Sequence, residues 1–179
     1  MSRLLILLLL ATTPLLAQTP KTSTRHKASV PVTDDGKWVD SIGTLQNRAG
    51  DILKAELSRK PDPACDNDQL SMAEEGQCLS ADETITERNY RAFAQALKAS
   101  LEIQPPELDR KIFPPASKNF AAAEAAWLKY VDKTCAALGD TYDGGSGTPM
   151  AMTRCQQQLT QQHMKDLNTI FLKAFETHK

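Results

Sequence analysis

Four cysteines are the residues of this chain whose type and number point most directly to covalent chemistry. An even number of cysteines, without the spacing of a metal site, predicts two disulfides in an exported protein. Three pairings are possible. Cys135 lies near the end of one predicted helix and Cys155 near the start of the next, which favours a bridge between them. The remaining two cysteines, Cys65 and Cys78, would then pair with each other. The favoured bridges are Cys65–Cys78 and Cys135–Cys155, and the other two pairings stay open.

A run of acidic residues is the second feature that could carry chemistry. Residues 61 to 110 hold eleven acids and four bases. One interpretation is a solvated helix face, with acids favourably placed near the amino end. The other is a docking surface for a cationic protein, because long-range attraction speeds encounter. The candidate residues of this surface are Glu74, Glu75, Asp82 and Glu83.

A glycine-rich loop between two predicted helices is the third feature. Its carboxylates and glycines do not have the spacing of a calcium loop, which needs alternating oxygen ligands and a closing acid. The sequence therefore predicts either a plain turn or a protruding recognition loop, with a tyrosine as the anchor of any tight contact. The candidate contact residues are Tyr142, Asp143, Gly144, Gly145 and Ser146.

Catalysis is not indicated by any of the usual nucleophile or base patterns. Ser146 does not lie in a Gly-x-Ser-x-Gly elbow, and no predicted strand precedes it. The three histidines, His26, His163 and His178, fall on separate parts of the chain. We therefore predict that the protein is not an enzyme and needs neither a cofactor nor a metal.

The first residues predict an export signal. Arg3 precedes an apolar run that is shorter than the roughly 20 residues that a membrane-spanning helix requires, and Ala17 offers a cleavage point before Gln18. We predict a signal peptide at residues 1–17, followed by a polar, flexible tether at 18–36. The expected location is secreted or periplasmic, with no membrane span after cleavage.

The rest of the chain, residues 37–179, is predicted to form one all-α domain. This domain is an antiparallel bundle of about four helices with two disulfides. Apolar residues recur at helical spacing. Ser71 with Glu74 forms a capping box at the second helix, while Ser117 and Thr148 are predicted to cap the third and fourth. The predicted buried faces include Leu57, Tyr130, Leu138, Ile170 and Phe175.

The order of several motifs resembles the LprI-like lysozyme inhibitor family over about residues 64–172. Ala81 and Asp82 follow Cys78 at a short distance, and the segment from Trp127 to Cys135 reads WLKYVDKTC. The Tyr-Asp-Gly-Gly-Ser loop, Cys155 and Thr160 come next. What the resemblance implies is an exported helical domain, with inhibition of cationic lysozymes for at least one family member.

This chain departs from the family pattern at several positions. Val131 and His163 stand where the family usually has arginine, Glu124 stands in place of a glutamine, and Ile85-Thr86 replaces a Leu-Asn pair. These changes are compatible with the helical frame, but they alter any binding surface that the family shares.

Charge narrows the class of partner. Removal of residues 1–17 leaves 20 Lys and Arg against 22 Asp and Glu, so nucleic acid is not an expected partner. The leading hypothesis is a secreted or periplasmic protein-binding module whose partner is a cationic lysozyme or another exported protein. Its specific form is a lysozyme inhibitor that acts by occlusion. The alternative is a structural or interaction protein of the cell envelope with no enzyme target.

Overall fold

The computed structural model describes residues 35–105 and 108–173. They form four helices: α1 (Asp35–Ser58), α2 (Met72–Glu102), α3 (Ala116–Asp140) and α4 (Thr148–Phe171). No strand occurs within these residues, so the predicted all-α class is confirmed. Helix α1 begins two residues before the predicted boundary. The predicted signal peptide, most of the tether and Phe175 lie outside the described residues.

The four helices alternate in direction. The end of α3 is joined to the start of α4 by a disulfide, and the start of α3 contacts the end of α4 through Phe120 and Phe171. Helices α2 and α4 each contact the other three, whereas α1 and α3 lie on opposite flanks of this pair. We call the end that holds the α3–α4 connection the loop end, and the other the opposite end.

The hydrophobic core lies between α2 and α4 and is closed on its flanks by α1 and α3. Its large buried side chains come from all four helices: Leu53, Tyr90, Phe93, Leu97, Phe120, Met164 and Leu167. The prediction of a buried position was wrong for Leu57, Tyr130, Leu138 and Ile170, which are exposed. Leu57, Tyr130 and Leu138 lie on α1 and α3, which each cover only one flank and so have narrower buried stripes than the apolar pattern indicated. Ile170 lies near the end of α4, on a side that no other described helix covers.

Both disulfides lie at the loop end and have the predicted sequential pairing. The Cα atoms are 5.7 Å apart in Cys65–Cys78 and 5.6 Å apart in Cys135–Cys155, which is ordinary disulfide spacing. The first bridge fixes the connection before α2 to the first turns of that helix. The second closes the α3–α4 hairpin.

The starts of the helices show which of the predicted caps the structure contains. The capping box at α2 is confirmed: Glu74 N–H donates to Ser71 Oγ at 3.3 Å and Ser71 N–H donates to Glu74 Oε2 at 2.8 Å. The two other predicted caps were wrong. Ser117 lies inside α3 and donates its hydroxyl to Glu102, and Thr148 is already helical, following Gly147 at the cap position.

A buried polar network joins three of the helices. Its centre is Glu56 of α1, which is only 2% exposed. The donors to its carboxylate, at 2.6 to 3.2 Å, are Arg59, Thr86, Asn89 and Gln161. Arg59 also pairs with Asp82, which in turn accepts from Gln157. With so many donors, the buried carboxylate is fully compensated, as a charge in a core must be.

Acid should destabilise the fold through Glu56. Burial raises the pKa of this carboxyl, but the hydrogen bonds from Arg59, Thr86, Gln161 and Asn89 outweigh burial and lower the pKa from 4.5 to about 2. A lowered folded-state pKa gives stability that is complete above pH 4.5 and is lost as the pH falls towards 2. This difference corresponds to about 3 kcal/mol.

Urea unfolding at pH 7, 4 and 2.5 measures this loss of stability. The variant Glu56→Gln should be less stable at pH 7 and should lose less of its remaining stability on acidification. An unchanged acid slope in that variant would assign the loss to other carboxyls.

Candidate functional site

The α3–α4 loop, residues 140–147, is an ordered chain of tight turns. Tyr142 N–H donates to the carbonyl of Gly139 at 3.0 Å, and Gly145 N–H donates to the carbonyl of Tyr142 at 2.9 Å. At the apex, Asp143 and Gly144 both have positive φ, 50° and 71°. An aspartate tolerates this left-handed conformation better than most residues do, and glycine adopts it freely. The residues at the tip of the loop are thus suited to its tight turn, and the loop has a defined backbone conformation.

The side chain of Tyr142 is held on this loop yet remains available. The ring lies close to the backbone of Gly147, where an added Cβ would be 3.7 Å from Tyr142 Cδ1. The residue is 49% exposed, and residues 140–146 are all exposed. A half-exposed aromatic ring on a defined backbone loses little conformational entropy when a partner covers it.

The base of the loop is rigid because α3 and α4 approach closely there. At Gly139, which is buried in the last turn of α3, a Cβ would lie 2.8 Å from Met152 Sδ of α4. The buried Cys135 is bonded to Cys155 one turn further in. A small residue and a disulfide together fix the two stems from which the loop projects.

The start of α2 lies at the same end of the bundle as this loop. Glu75 of α2 pairs with Arg154 of α4, and a Cβ at Gly76 would lie 3.8 Å from the Met150 side chain. The structure therefore brings the acidic candidates on α2 to the end of the molecule that carries the glycine-rich loop.

Most of these acidic candidates already have intramolecular partners. Glu74 is held by Ser71, whose side-chain and backbone hydrogen bonds lower the pKa of this exposed carboxyl. Glu75 and Asp82 are neutralised by arginines of the same chain. Glu83 has no ion pair within the described residues, and burial, together with the charge of Glu87, raises its pKa.

Other acids at the loop end have no such partner among the residues that the structure describes. Asp66 and Asp68 lie in the connection before α2, next to the Cys65–Cys78 bridge, and Asp140 and Asp143 lie on the loop. All four are exposed, and none forms an ion pair with another described residue. These carboxylates contribute more to the field outside the loop end than the three paired or capped acids of α2.

A second polar cluster lies between α2, α3 and α4, well below the loop. The Tyr90 hydroxyl donates to Glu124 at 2.5 Å, His163 Nε2 lies 2.9 Å from the same carboxylate, and the His163 ring stacks on Trp127 at 3.9 Å. Burial and the bond to Glu124 raise the pKa of Tyr90 far above its usual value. His163 is thus packed into the α3–α4 contact, where it is held by Glu124 and Trp127 of α3.

No group of three or more metal-binding side chains occurs within residues 35–105 and 108–173. Nor does a helix of this part of the chain have the length and apolar character needed to cross a bilayer.

A family model described as lysozyme inhibitor LprI matches residues 65–167, more than half of the 179 residues. The chain belongs to the LprI family. The matched region contains both disulfides, the α2 acids and the whole 140–147 loop. Helix α1 lies before it, so this LprI-family chain has an additional helix packed on the matched region. No curated protein and no solved structure matches the chain.

The buried polar network is the main feature that sequence analysis missed. The sequence does contain a pattern that could have indicated this network. Leu53 and Glu56 extend the apolar face of α1 that begins at Ala49, so a charged residue stands at a core position. On α4, Gln157 and Gln161 are one turn apart, as are Asp82 and Thr86 on α2. Polar residues repeated at helical spacing on facing helices indicate buried partners.

Proposed function

We propose that this LprI-family protein is an exported inhibitor of cationic lysozymes and that it acts by occlusion. The 140–147 loop makes the close contact, with Tyr142 as its anchor, and the acidic loop end attracts the enzyme. The observation that carries the proposal is the family match over a region that includes this loop. A catalytic role is not part of the proposal.

The form of the loop supports a contact role. Its seven residues 140–146 are exposed, its backbone is fixed by internal hydrogen bonds, and its stems are joined by Cys135–Cys155. A rigid projection can enter a concave surface without ordering first, which avoids part of the entropic cost of binding. Gly144 and Gly145 have no side chain, and those of Asp143 and Ser146 are short, so the enzyme surface can approach the loop backbone closely.

Charge at the loop end supports the choice of a basic enzyme. Asp66, Asp68 and Asp140, which form no ion pair with another described residue, add negative charge at the end that carries Tyr142, and the hydrogen bonds with Ser71 lower the pKa of Glu74. Glu75 and Asp82 contribute less, because Arg154 and Arg59 offset their charges. Glu83 completes the set of proposed contact acids. This arrangement favours fast encounter with a cationic surface more than it favours tight binding.

The direct test is an inhibition assay of the exported chain, in excess and at low salt, against several lysozymes. Inhibition of at least one is the expected result. If none is inhibited, the alternative of an envelope protein without an enzyme target takes its place. Capture of envelope proteins on the immobilised chain separates the two as well, because retention of a muramidase is expected only of the inhibitor.

Salt and charge should act on the association rate. Between roughly 50 and 200 mM NaCl the association rate constant should fall severalfold while dissociation changes little, because charges more than about 10 Å apart are screened. The triple variant Asp66→Asn, Asp68→Asn, Asp140→Asn should associate more slowly than the unmodified chain at low salt. Surface plasmon resonance at a series of salt concentrations measures both rates.

A matched control separates local charge from net charge. The triple variant Asp40→Asn, Asp51→Asn, Asp132→Asn changes the net charge equally at exposed positions on the start and middle of α1 and the middle of α3. It should associate at nearly the rate of the unmodified chain. Equal slowing by both triple variants would contradict a role for the loop end.

A further inference from the structure

The connection between α1 and α2 is fixed to the bundle mainly by a disulfide. Within residues 60–69 each residue is exposed except Cys65, which is partly buried. The hydrogen bonds of this segment are local: Cys65 N–H donates to the Asp62 carbonyl at 2.8 Å, and the other bonds of these residues also stay within the connection. No hydrogen bond or ion pair links the segment to a described helix. The bridge from Cys65 to Cys78 in α2 therefore determines where the segment lies.

The other bridge lies between packed helices. Cys135 of α3 is 0% exposed, and Cys155 of α4 is partly buried. Beside them the two helices are in close contact, since a Cβ at Gly139 would lie only 2.8 Å from Met152 Sδ. Two free thiols need more space than a bonded pair, and here α3 and α4 would have to separate to supply it. At Cys65–Cys78 a shift of the exposed connection is sufficient.

The two bridges also differ in how well they meet the chemical requirements for opening. A disulfide opens when a thiolate attacks one of its sulfurs, and the rate depends on access to that sulfur and on how well the other sulfur leaves as a thiolate. Cys135 meets neither requirement, because it is closed to solvent and an apolar interior disfavours a thiolate. Cys65 and Cys78 are both partly exposed, so each can be attacked and each can leave into a partly solvated site.

We propose that Cys65–Cys78 is a thiol-exchange site, which a dithiol reductant opens while Cys135–Cys155 remains bonded. One thiolate of the reductant attacks a sulfur of the bridge, forms a mixed disulfide with it and releases the other cysteine as a thiolate. The second thiolate of the reductant then attacks the reductant sulfur of this mixed disulfide and releases the remaining cysteine. The reductant leaves as its own internal disulfide, the protein gains two electrons, and both cysteine thiolates take up a proton.

Opening of this bridge alters the acidic surface of the loop end separately from the contact loop. Asp66 and Asp68 lie in the released segment, so they are no longer held in one position. Cys135–Cys155 still joins the stems of the 140–147 loop. The effect on binding rests on the proposed function. The reduced chain should associate with a cationic lysozyme more slowly and keep its dissociation rate, because dispersed charges guide encounter less well.

Alkylation after timed reduction tests the proposal. The folded chain from Gln18 onwards is incubated with dithiothreitol at about pH 8, because the thiolate is the attacking form, and free thiols are capped with iodoacetamide at intervals. Peptide mass mapping gives the opening rate of each bridge. We expect capping of Cys65 and Cys78 to be about tenfold faster, or more, than capping of Cys135 and Cys155. Equal rates, or earlier opening of Cys135–Cys155, overturn the proposal.

Two controls test whether burial causes the selectivity. In urea that unfolds the chain, both bridges should open at similar rates. A persistent difference would assign the selectivity to the neighbouring sequence and contradict the proposal. In the variant Cys65→Ser with Cys78→Ser, verified as folded by circular dichroism, Cys135–Cys155 should open as slowly as in the unmodified chain. Rapid opening there would show that the two bridges respond as one unit, which also contradicts the proposal.

Hydrogen exchange and binding measure the consequence of opening. With Cys65 and Cys78 capped, the amides of residues 62–70 should exchange faster and those of 140–147 should keep their protection, and loss of protection in both would overturn the proposal. The association rate of the capped chain with lysozyme should lie between those of the unmodified chain and the triple aspartate variant of the loop end. An unchanged rate would overturn the effect on binding. If the unmodified chain inhibits no lysozyme, the proposed function fails, while alkylation still decides the thiol-exchange site.

Discussion

Replacement of Arg59 by methionine should lower the free energy of unfolding by about 3 kcal/mol at pH 7. This is the largest effect on stability that we expect from the replacement of one charged residue. Methionine retains the length and apolar stem of arginine but leaves Glu56 with only its neutral donors Thr86, Asn89 and Gln161. A buried carboxylate without its cation is strongly destabilising. Asp82 loses the same partner. Urea unfolding followed by circular dichroism gives the free energy.

The control for this variant is Arg91→Met. Arg91 pairs with Glu87 on the exposed side of α2, where both side chains are largely solvated. Exposed pairs of this kind contribute about 0.5 kcal/mol. Similar losses in the Arg59 and Arg91 variants would show that burial of Glu56 does not set the energy of the network.

Replacement of Tyr142 by alanine should have the largest effect on inhibition, with a rise in the dissociation rate of about 30-fold. A buried aromatic anchor at the centre of an interface contributes about 2 kcal/mol or more. The variant keeps the loop charges, so association should change little, in contrast to the aspartate variants. Surface plasmon resonance against a lysozyme that the unmodified chain inhibits measures both rates.

Tyr130→Ala is the matched control, because Tyr130 is 56% exposed on the flank of α3 and belongs to the same helical hairpin. Its removal should leave both rates unchanged. If Tyr130→Ala instead raised the dissociation rate and Tyr142→Ala did not, the contact would lie on the side of α3 and the loop would have no direct role.

The parts of this fold that could be predicted from the sequence are those set by neighbouring residues. The capping box of Ser71 and Glu74 depends on four consecutive positions, and Pro61 follows closely on the last turn of α1. The disulfide Cys135–Cys155 followed from a hairpin whose two stems were already recognisable. The cap spans four residues and the bridge closes a single hairpin, so neither required knowledge of how all four helices pack together.

The rest depends on how the helices are rotated against one another. Glu56 and Gln161 meet across more than a hundred residues, and only the packed bundle shows that both face inwards. Tyr130 and Ile170 have the right spacing for burial but fall beyond the narrow stripes that α3 and α4 use. The same limit applies to the proposed site, because the sequence placed Asp82 among the surface acids, whereas Arg59, directly after α1, binds it.

The placement of both covalent bridges at one end makes the bundle mechanically asymmetric. Thermal breathing that separates the helices is opposed by Cys65–Cys78 and Cys135–Cys155 at the loop end, while the far ends of the same helices have only noncovalent contacts. We therefore expect fraying to begin at the opposite end, which holds the start of α1, the connection between α2 and α3, and the end of α4. We expect the 140–147 loop to keep its shape in molecules that have begun to open, so the proposed contact surface should be the last part of the bundle to be lost.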